Sequence, residues 1–152
     1  MSEKGLEHLE VWRTAKDFTL SIYKTALPCL PEEEKWGLAN QMSRASQSIP
    51  ANIAEGYGRY YFLENIRFCY IARGSLEEIF SHLVLAQELG YLPTEIFNHL
   101  LGNYRNLLRL LNGYIAYLKK TKKGEEGFQS SLIRDEPTEP YSANGLDDES
   151  EI

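Results

Sequence analysis

Two glutamate–histidine pairs have a spacing that could bring metal ligands together on one face of a helix. Glu78 precedes His82 by four residues, and Glu95 precedes His99 by the same interval. Di-iron helical bundles instead use a Glu-x-x-His spacing on two helices, with further glutamates on the other two. Glu95 also falls in the first turn of a predicted helix, where the helix dipole favours an acid. We therefore interpret both pairs as surface contacts and expect no metal and no other cofactor.

Residues that could act as nucleophiles lack the surroundings that catalysis requires. The sequence has no Gly-x-Ser-x-Gly turn, and three serines of one helical segment simply precede Pro50 (Ser43, Ser46 and Ser48). Cys69 falls in a strongly apolar segment, where a cysteine is expected to be buried and inert. Gly56-Tyr57-Gly58 lacks the Lys-Ser/Thr pair that completes a phosphate-binding loop. The sequence therefore predicts a protein that is not an enzyme.

Basic side chains with aromatic neighbours could contact the phosphates and bases of a nucleic acid. Arg59 stands beside Tyr60 and Tyr61 in a predicted turn. The other members of this candidate surface lie on or just after the last helical segment: Arg105, Arg109, Lys119, Lys120, Lys122 and Lys123. In a ring of identical subunits these charges would repeat around the axis and their fields would add. A solvated helix face is the alternative interpretation, and both stay open.

Four further polar residues are expected to form a cluster between the second and third helical segments: Arg44, Asn52, Glu55 and Arg73. Asn52 and Glu55 belong to a polar stripe of the second segment, whereas Arg73 interrupts the apolar third segment. An arginine in such surroundings often pairs with a carboxylate. We therefore predict a buried contact between Arg73 and Glu55. A binding role for the same residues is the alternative.

The charge of the chain is distributed unevenly, which divides it into two parts. The 152 residues carry a formal net charge of -6, from 16 Lys and Arg against 22 Asp and Glu. Residues 124–152 contain one arginine and nine acids, a net of -8, so residues 1–123 carry +2. The acidic segment has few large apolar residues and cannot bury enough surface to offset its ordering entropy. We predict one folded domain over 1–123 and a disordered acidic tail over 124–152, which could compete with nucleic acid for the lysines.

Membrane and secretory features are absent from the sequence. No stretch approaches the roughly 18 uncharged apolar residues that span a bilayer, and the charged first residues do not resemble a signal peptide. Two cysteines, Cys29 and Cys69, are too few and too far apart for a disulfide framework or a zinc site. These features predict a cytoplasmic protein with reduced thiols and no membrane contact.

The spacing of apolar residues predicts four helices joined by short connections. Steps of three and four residues recur over 9–26, from about Pro31 to a stop at Gly56 and Gly58, over 62–89 and over 95–120. Pro50 lies inside the second helix and removes a backbone hydrogen bond, so a kink or a local break is expected there. Short connections make successive helices antiparallel. The predicted fold is all-α, an antiparallel up-down-up-down four-helix bundle.

Four groups of short motifs follow one another along the chain. They are Leu9-Glu10-Val11-Trp12 with Ala15; Gln41, Arg44-Ala45, Ser48-Ile49-Pro50 and Asn52-Ile53-Ala54-Glu55-Gly56; Ile71-Ala72-Arg73-Gly74-Ser75-Leu76-Glu77-Glu78; and Leu89-Gly90-Tyr91-Leu92. Over about residues 6–120 this pattern resembles the 23S rRNA intervening-sequence protein family. The resemblance implies a four-helix bundle that assembles as a ring-shaped homopentamer, with no known catalysis. An oligomeric scaffold or interaction module is therefore our first hypothesis for the function.

A related branch implies an alternative function. The chain is similar to the accessory variability proteins of diversity-generating retroelements, which are basic pentamers that bind a reverse transcriptase and nucleic acid. By this resemblance, it would be a nucleic-acid-binding accessory protein, with RNA or DNA and a reverse transcriptase as partners. Its near-neutral bundle and acidic tail depart from the basic character of that branch.

Overall fold

Four long helices make up most of the described chain, residues 5–121 of a computed structural model. The helices are α1 (Glu10–Ser21), α2 (Leu38–Tyr57), α3 (Phe62–Glu88) and α4 (Thr94–Thr121). α1 continues through a π-helical turn, Ile22–Ala26, and a 3-10 turn, Leu27–Cys29. Shorter 3-10 turns occupy Leu6–His8 and Glu32–Glu34. Residues 5–121 contain no β-strand, which confirms the all-α prediction. The described residues do not include Lys122, Lys123 or the predicted tail over 124–152.

The four helices surround one apolar core. Each helix packs against the next one in the chain, and α1 also contacts α4, which confirms the predicted four-helix bundle. Contacts between α3 and α4 run in opposite order along the two helices, from Asn65 with Tyr114 to Glu77 with Tyr104, as in antiparallel neighbours. The up-down-up-down order of the whole bundle stays a prediction from the short connections.

The start of α2 lies later than the sequence predicts. The helix begins at Leu38 rather than near Pro31, and the acids in front of it form the separate turn Glu32–Glu34. Glu34 Oε2 accepts a hydrogen bond from the backbone N–H of Leu38 at 2.9 Å. The first N–H groups of a helix have no partner within the helix. Glu34 therefore satisfies one of them from outside the helix.

Pro50 does not interrupt α2, so of the predicted kink or local break the break is wrong, and the kink stays a prediction. Because proline has no N–H, the carbonyl of Ser46 loses its partner in the helix. The hydroxyl of Thr19 on α1 lies 2.8 Å from that carbonyl oxygen and 3.0 Å from the carbonyl oxygen of Ala15. Ser46 is fully buried, and an unsatisfied buried carbonyl would cost about 1–3 kcal/mol. A side chain of α1 thus satisfies the group that the proline leaves free.

α2 ends between the two glycines predicted to stop it, with Gly56 in its last turn. The helix continues to Tyr57 and is followed by Gly58. A Cβ atom added to Gly56 would stand 2.8 Å from Oδ1 of Asn65 and 2.9 Å from Cβ of Phe68, both on α3. The glycine is needed because the backbone of α2 approaches α3 so closely here.

Gly90 ends α3, one position after the cap residue Leu89. Its φ angle is 81°, in the left-handed region that favours glycine. The N–H of Gly90 donates to the carbonyl of Gln87 at 3.0 Å, and the N–H of Tyr91 donates to that of Ala86 at 2.9 Å. These two bonds form a Schellman motif, which ends the helix and turns the chain toward α4.

Candidate nucleic-acid interface

α4 carries three of the predicted basic residues on one exposed face. Arg105 and Arg109 are separated by one helical turn, and Lys120 falls on the same side near the end of the helix. Arg109 Nη2 donates to Oδ1 of Asn106 at 2.9 Å, which holds the guanidinium along the helix surface. We call Arg105, Arg109 and Lys120 the α4 basic face.

Lys119 lies beside α3 rather than on the α4 basic face. Its Nζ is 5.7 Å from the centre of the Tyr70 ring on α3. Cζ of Arg73 lies 4.9 Å from the same ring centre, and Nη1 of Arg73 donates to Oδ1 of Asn112 at 3.1 Å. The packing of α3 against α4 therefore brings cations from both helices to one aromatic ring.

Arg59, in the turn between α2 and α3, contacts two side chains of the same chain. Its Nη2 donates to Oε1 of Glu55 at 2.7 Å, and its Cζ lies 5.2 Å from the centre of the Phe68 ring. The neighbouring rings of Tyr60 and Tyr61 meet edge to face at 5.0 Å, and Tyr60 is 77% exposed. The turn thus offers aromatic surface to a nucleic acid, while the charge of Arg59 is largely balanced by Glu55.

The predicted contact between Arg73 and Glu55 is wrong, and the four residues of the predicted polar cluster do not come together. Arg73 bonds to Asn112 on α4, Glu55 pairs with Arg59, and Arg44 is exposed. The reason is the direction of Arg73, which lies on the flank of α3 that faces α4. α2 packs against the opposite flank of α3.

Asn52, the fourth member of the predicted cluster, joins a network that links α2 to α3. Its Nδ2 donates to the carbonyl oxygen of Ser48 at 2.7 Å and to Ser48 Oγ at 2.9 Å. The hydroxyls of Ser48 and Ser75 share a hydrogen bond of 2.7 Å between α2 and α3. Ser48 and Asn52 share the polar stripe of the second segment at a spacing of four residues, whereas the bond to Ser75 has no signal in the sequence.

A second unpredicted contact joins α3 to α4. The hydroxyl of Tyr104 donates to both carboxylate oxygens of Glu77, at 2.8 and 2.9 Å. Burial, followed by the hydrogen bond and the charge of Glu77, raises the pKa of Tyr104 to about 12. The tyrosine therefore stays protonated at neutral pH, and its hydroxyl donates a hydrogen bond to the Glu77 carboxylate.

Neither glutamate–histidine pair belongs to a larger ligand cluster. His82 Nε2 lies 3.5 Å from Glu78 Oε1, and His99 Nε2 lies 3.4 Å from the Nδ2 atom of Asn103. Over residues 5–121, no three His, Cys, Asp or Glu side chains are grouped so that they could hold a metal ion.

Burial raises the pKa of the Cys69 thiol to about 12, so this thiol stays protonated and is a poor nucleophile.

A groove of about 480 Å³ runs beside the α4 basic face, between the start of α1 and the second half of α4. Its lining combines apolar side chains such as Leu9 and Leu110 with Arg109 and with Tyr117, which is 50% exposed. Aromatic rings that stack on bases, beside cations that contact phosphates, are typical of surfaces that bind single strands. The groove therefore extends the candidate interface from α4 toward α1.

The fold and this surface define the class of protein: an all-α four-helix bundle whose last helix carries an exposed basic face. No helix described between residues 5 and 121 has both the length and the apolar character needed to cross a bilayer. The family model for the 23S rRNA-intervening sequence protein matches residues 7–113, and the chain belongs to this family.

A solved relative has the same fold. It is a protein of unknown function from the S23 ribosomal protein family of Bacteroides thetaiotaomicron, determined by crystallography. The two chains are 23% identical and superpose with a TM-score of 0.64, over 69% of this chain and 97% of that chain. No curated protein matches the sequence.

Proposed function

We propose that the protein is a non-enzymatic scaffold or interaction module that assembles as a homopentameric ring. The observation that carries this proposal is a set of three exposed apolar side chains on the outer face of α3. Ile71, Leu85 and Leu89 share this face and are 46%, 47% and 51% exposed in the single chain. Burying such side chains between subunits would contribute about 25 cal/mol for each Å² of apolar area. The resemblance of the sequence motifs to a family of ring-shaped pentamers supports the same assembly.

A closed ring requires two different, complementary faces on each subunit. The outer face of α3 would be one of them. Leu20 and Tyr23, at the end of α1, are 44% and 39% exposed and offer apolar surface for the other. The Glu78–His82 pair lies between Ile71 and Leu85 on the face of α3, so it would meet the neighbouring subunit.

Light scattering of the purified full chain tests this assembly. The expected mass is five times the chain mass of 17.5 kDa, and it should be constant on dilution through the micromolar range. A mass of one chain at micromolar concentration would overturn the proposal.

Nucleic-acid binding as an accessory protein, with a reverse transcriptase as partner, is a second candidate function. The α4 basic face favours it, because three cations share one exposed surface beside a groove that contains Tyr117. In a homopentamer this surface would be repeated five times. Contacts between cations and phosphates release counterions, so the affinity would fall as the salt concentration rises.

Replacing Arg105 and Arg109 together with alanine is expected to weaken binding to a fluorescein-labelled single-stranded RNA by about tenfold or more at low salt. The slope of log affinity against log salt should also flatten by roughly 0.7 for each phosphate contact that is lost. Fluorescence anisotropy across a potassium chloride series measures both quantities. The control combines Lys24→Ala with Lys35→Ala, which removes the same charge away from α4. Equal affinities for the two double variants, or affinity that does not respond to salt, would contradict this function.

A further inference from the structure

We propose that the groove between the start of α1 and the second half of α4 is a docking site for residues 125–133 of the same chain, with Phe128 as the apolar anchor. We call residues 125–133 the tail segment. The groove has a volume of about 480 Å³, and its proposed occupant follows α4 directly in the sequence. The docking rests on neither of the functions proposed above.

The walls of the groove are mostly apolar and are held in place by contacts within the bundle. Leu9 lines it from the α1 side, and Leu110, Tyr114 and Tyr117 line it from α4. The rings of Tyr114 and Tyr117 are stacked with their centres 6.4 Å apart. The hydroxyl of Tyr114 accepts a hydrogen bond of 3.2 Å from Nδ2 of Asn65 on α3. Because this ring is already held, it has little rotamer freedom to lose when another side chain packs beside it.

The tail segment starts close to the groove, because α4 both lines the groove and leads into the segment. Tyr117 and Arg109 precede the end of α4 at Thr121 by four and twelve residues, which corresponds to about 6 and 18 Å along the helix. Phe128 follows Thr121 by seven residues, and seven extended residues span about 23 Å. The reversal of direction that docking requires can be made at Gly124, since glycine accepts the conformations of tight turns. Phe128 can therefore reach the whole length of the groove.

The residue types of the tail segment match a groove with apolar walls and a basic border. Glu125 and Glu126 precede Phe128, and Leu132 and Ile133 follow it. A phenylalanine ring buries a large apolar area and packs well against other aromatic rings. Phe128 is therefore the residue expected between the two tyrosine rings and the α1 wall.

The charges of the groove and of the sequence after α4 are complementary. Residues 124–152 carry a net charge of -8, and Arg109 of the α4 basic face lines the groove. Arg109 donates to the uncharged amide of Asn106 and takes part in none of the ion pairs within residues 5–121. Glu10 is the single acid among the described residues of the lining, and it belongs to the α1 wall. The acids of the tail segment are therefore expected along the α4 wall.

The covalent link favours this occupant over a separate partner. A segment joined to the end of α4 is present near the groove at an effective concentration in the millimolar range. One buried aromatic anchor and a few charge contacts can then offset the cost of ordering the segment. The groove borders the α4 basic face, so a docked tail segment would exclude a nucleic-acid strand from it. The contact would therefore be autoinhibitory for the second candidate function.

Disulfide cross-linking in the full-length protein tests the docking. Gly113 lines the groove, and a Cβ added to it has no neighbour within 4 Å. Gly113→Cys is therefore combined with Ser130→Cys in a Cys29→Ser background, while Cys69 is kept because it is fully buried. A mild oxidant should produce a disulfide within one chain. Adding Phe128→Ser should slow its formation by about tenfold, because the aromatic anchor is lost.

The matched control for position replaces Gly113→Cys with Gly102→Cys. Gly102 also lies on α4 with no neighbour within 4 Å of an added Cβ, but it does not line the groove. Its disulfide with Ser130→Cys should form slowly and at a rate that Phe128→Ser does not change. Arg109→Gln should slow the cross-link to Gly113→Cys by about two- to fivefold, the range expected for exposed ion pairs.

Electrophoresis without reductant and mass spectrometry of the linked peptides measure the rate and the connectivity. A rate that Phe128→Ser leaves unchanged would overturn the docking. A disulfide that joins two chains would assign the groove to the tail segment of a second copy and would overturn docking within one chain. Circular dichroism should show that all variants stay folded. None of these outcomes depends on RNA binding or on the number of subunits, so a failure of the docking is distinct from a failure of either proposed function.

Discussion

Replacing Leu85 with glutamate is expected to convert the proposed homopentamer into monomers while the four-helix fold is retained. Leu85 is 47% exposed in the single chain, so the new carboxylate would stay hydrated in a monomer. In the ring, each carboxylate would be moved out of water against apolar neighbours, and burying an unpaired charge costs several kcal/mol. The mass from light scattering should fall to the 17.5 kDa of one chain, with the helical circular dichroism spectrum preserved.

The matched control for this experiment is Asn98→Glu. Asn98 is exposed on α4 and lies away from the outer face of α3, and the substitution adds the same charge. It should leave the pentameric mass unchanged. If Leu85→Glu also keeps that mass, the outer face of α3 is not a subunit interface, even if the ring itself exists.

Gly56→Ala is expected to lower the free energy of unfolding by about 3 kcal/mol, at the upper end of the range for overpacked interiors. The added methyl group would meet the Phe68 Cβ at 2.9 Å and the backbone oxygen of Asn65 at 3.0 Å. Neither atom can be moved by rotating a side chain, so α2 and α3 would have to separate. Urea denaturation followed by circular dichroism measures the loss.

Gly102→Ala provides the opposite case for comparison. Gly102 lies inside α4, and an added Cβ there would have no neighbour within 4 Å. Because alanine favours the helix over glycine, this variant should be more stable than the wild type by about 0.5–1 kcal/mol. Equal stability changes in the two variants would show that Gly56 is not constrained by the packing of α3.

The helices could be predicted from the sequence because one repeat of apolar residues determines both the helix and its buried side. Ala72, Leu76 and Ile79, which follow one another at steps of four and three residues in α3, are fully buried. On α4, by contrast, Leu101 and Leu108 lie seven residues apart and are only partly buried, whereas their neighbours Leu100 and Leu107 are fully buried. α4 contacts both α1 and α3, so its buried arc is wider than a single stripe.

The candidate interface could be predicted only in part, for a related reason. Arg105 and Arg109 lie opposite the apolar side of α4, so their exposure follows from the spacing within one helix. The partner of Arg73 depends instead on which flank of α3 faces which neighbour, and no spacing within α3 contains that information. Lys119 shows the same limit, since its contact with Tyr70 depends on how α4 is placed against α3.

The hydrogen bond from Thr19 to the carbonyl of Ser46 also affects how the bundle opens. A proline in the middle of a helix leaves a gap in the ladder of backbone hydrogen bonds, and here α1 closes the gap in α2. When α1 detaches, the middle of α2 loses that partner and becomes accessible to water. Local opening of α1 should therefore lower the protection of the middle of α2 against hydrogen exchange. Pro50, a residue that would weaken an isolated helix, thus couples the exchange of backbone amides in α1 to that in α2.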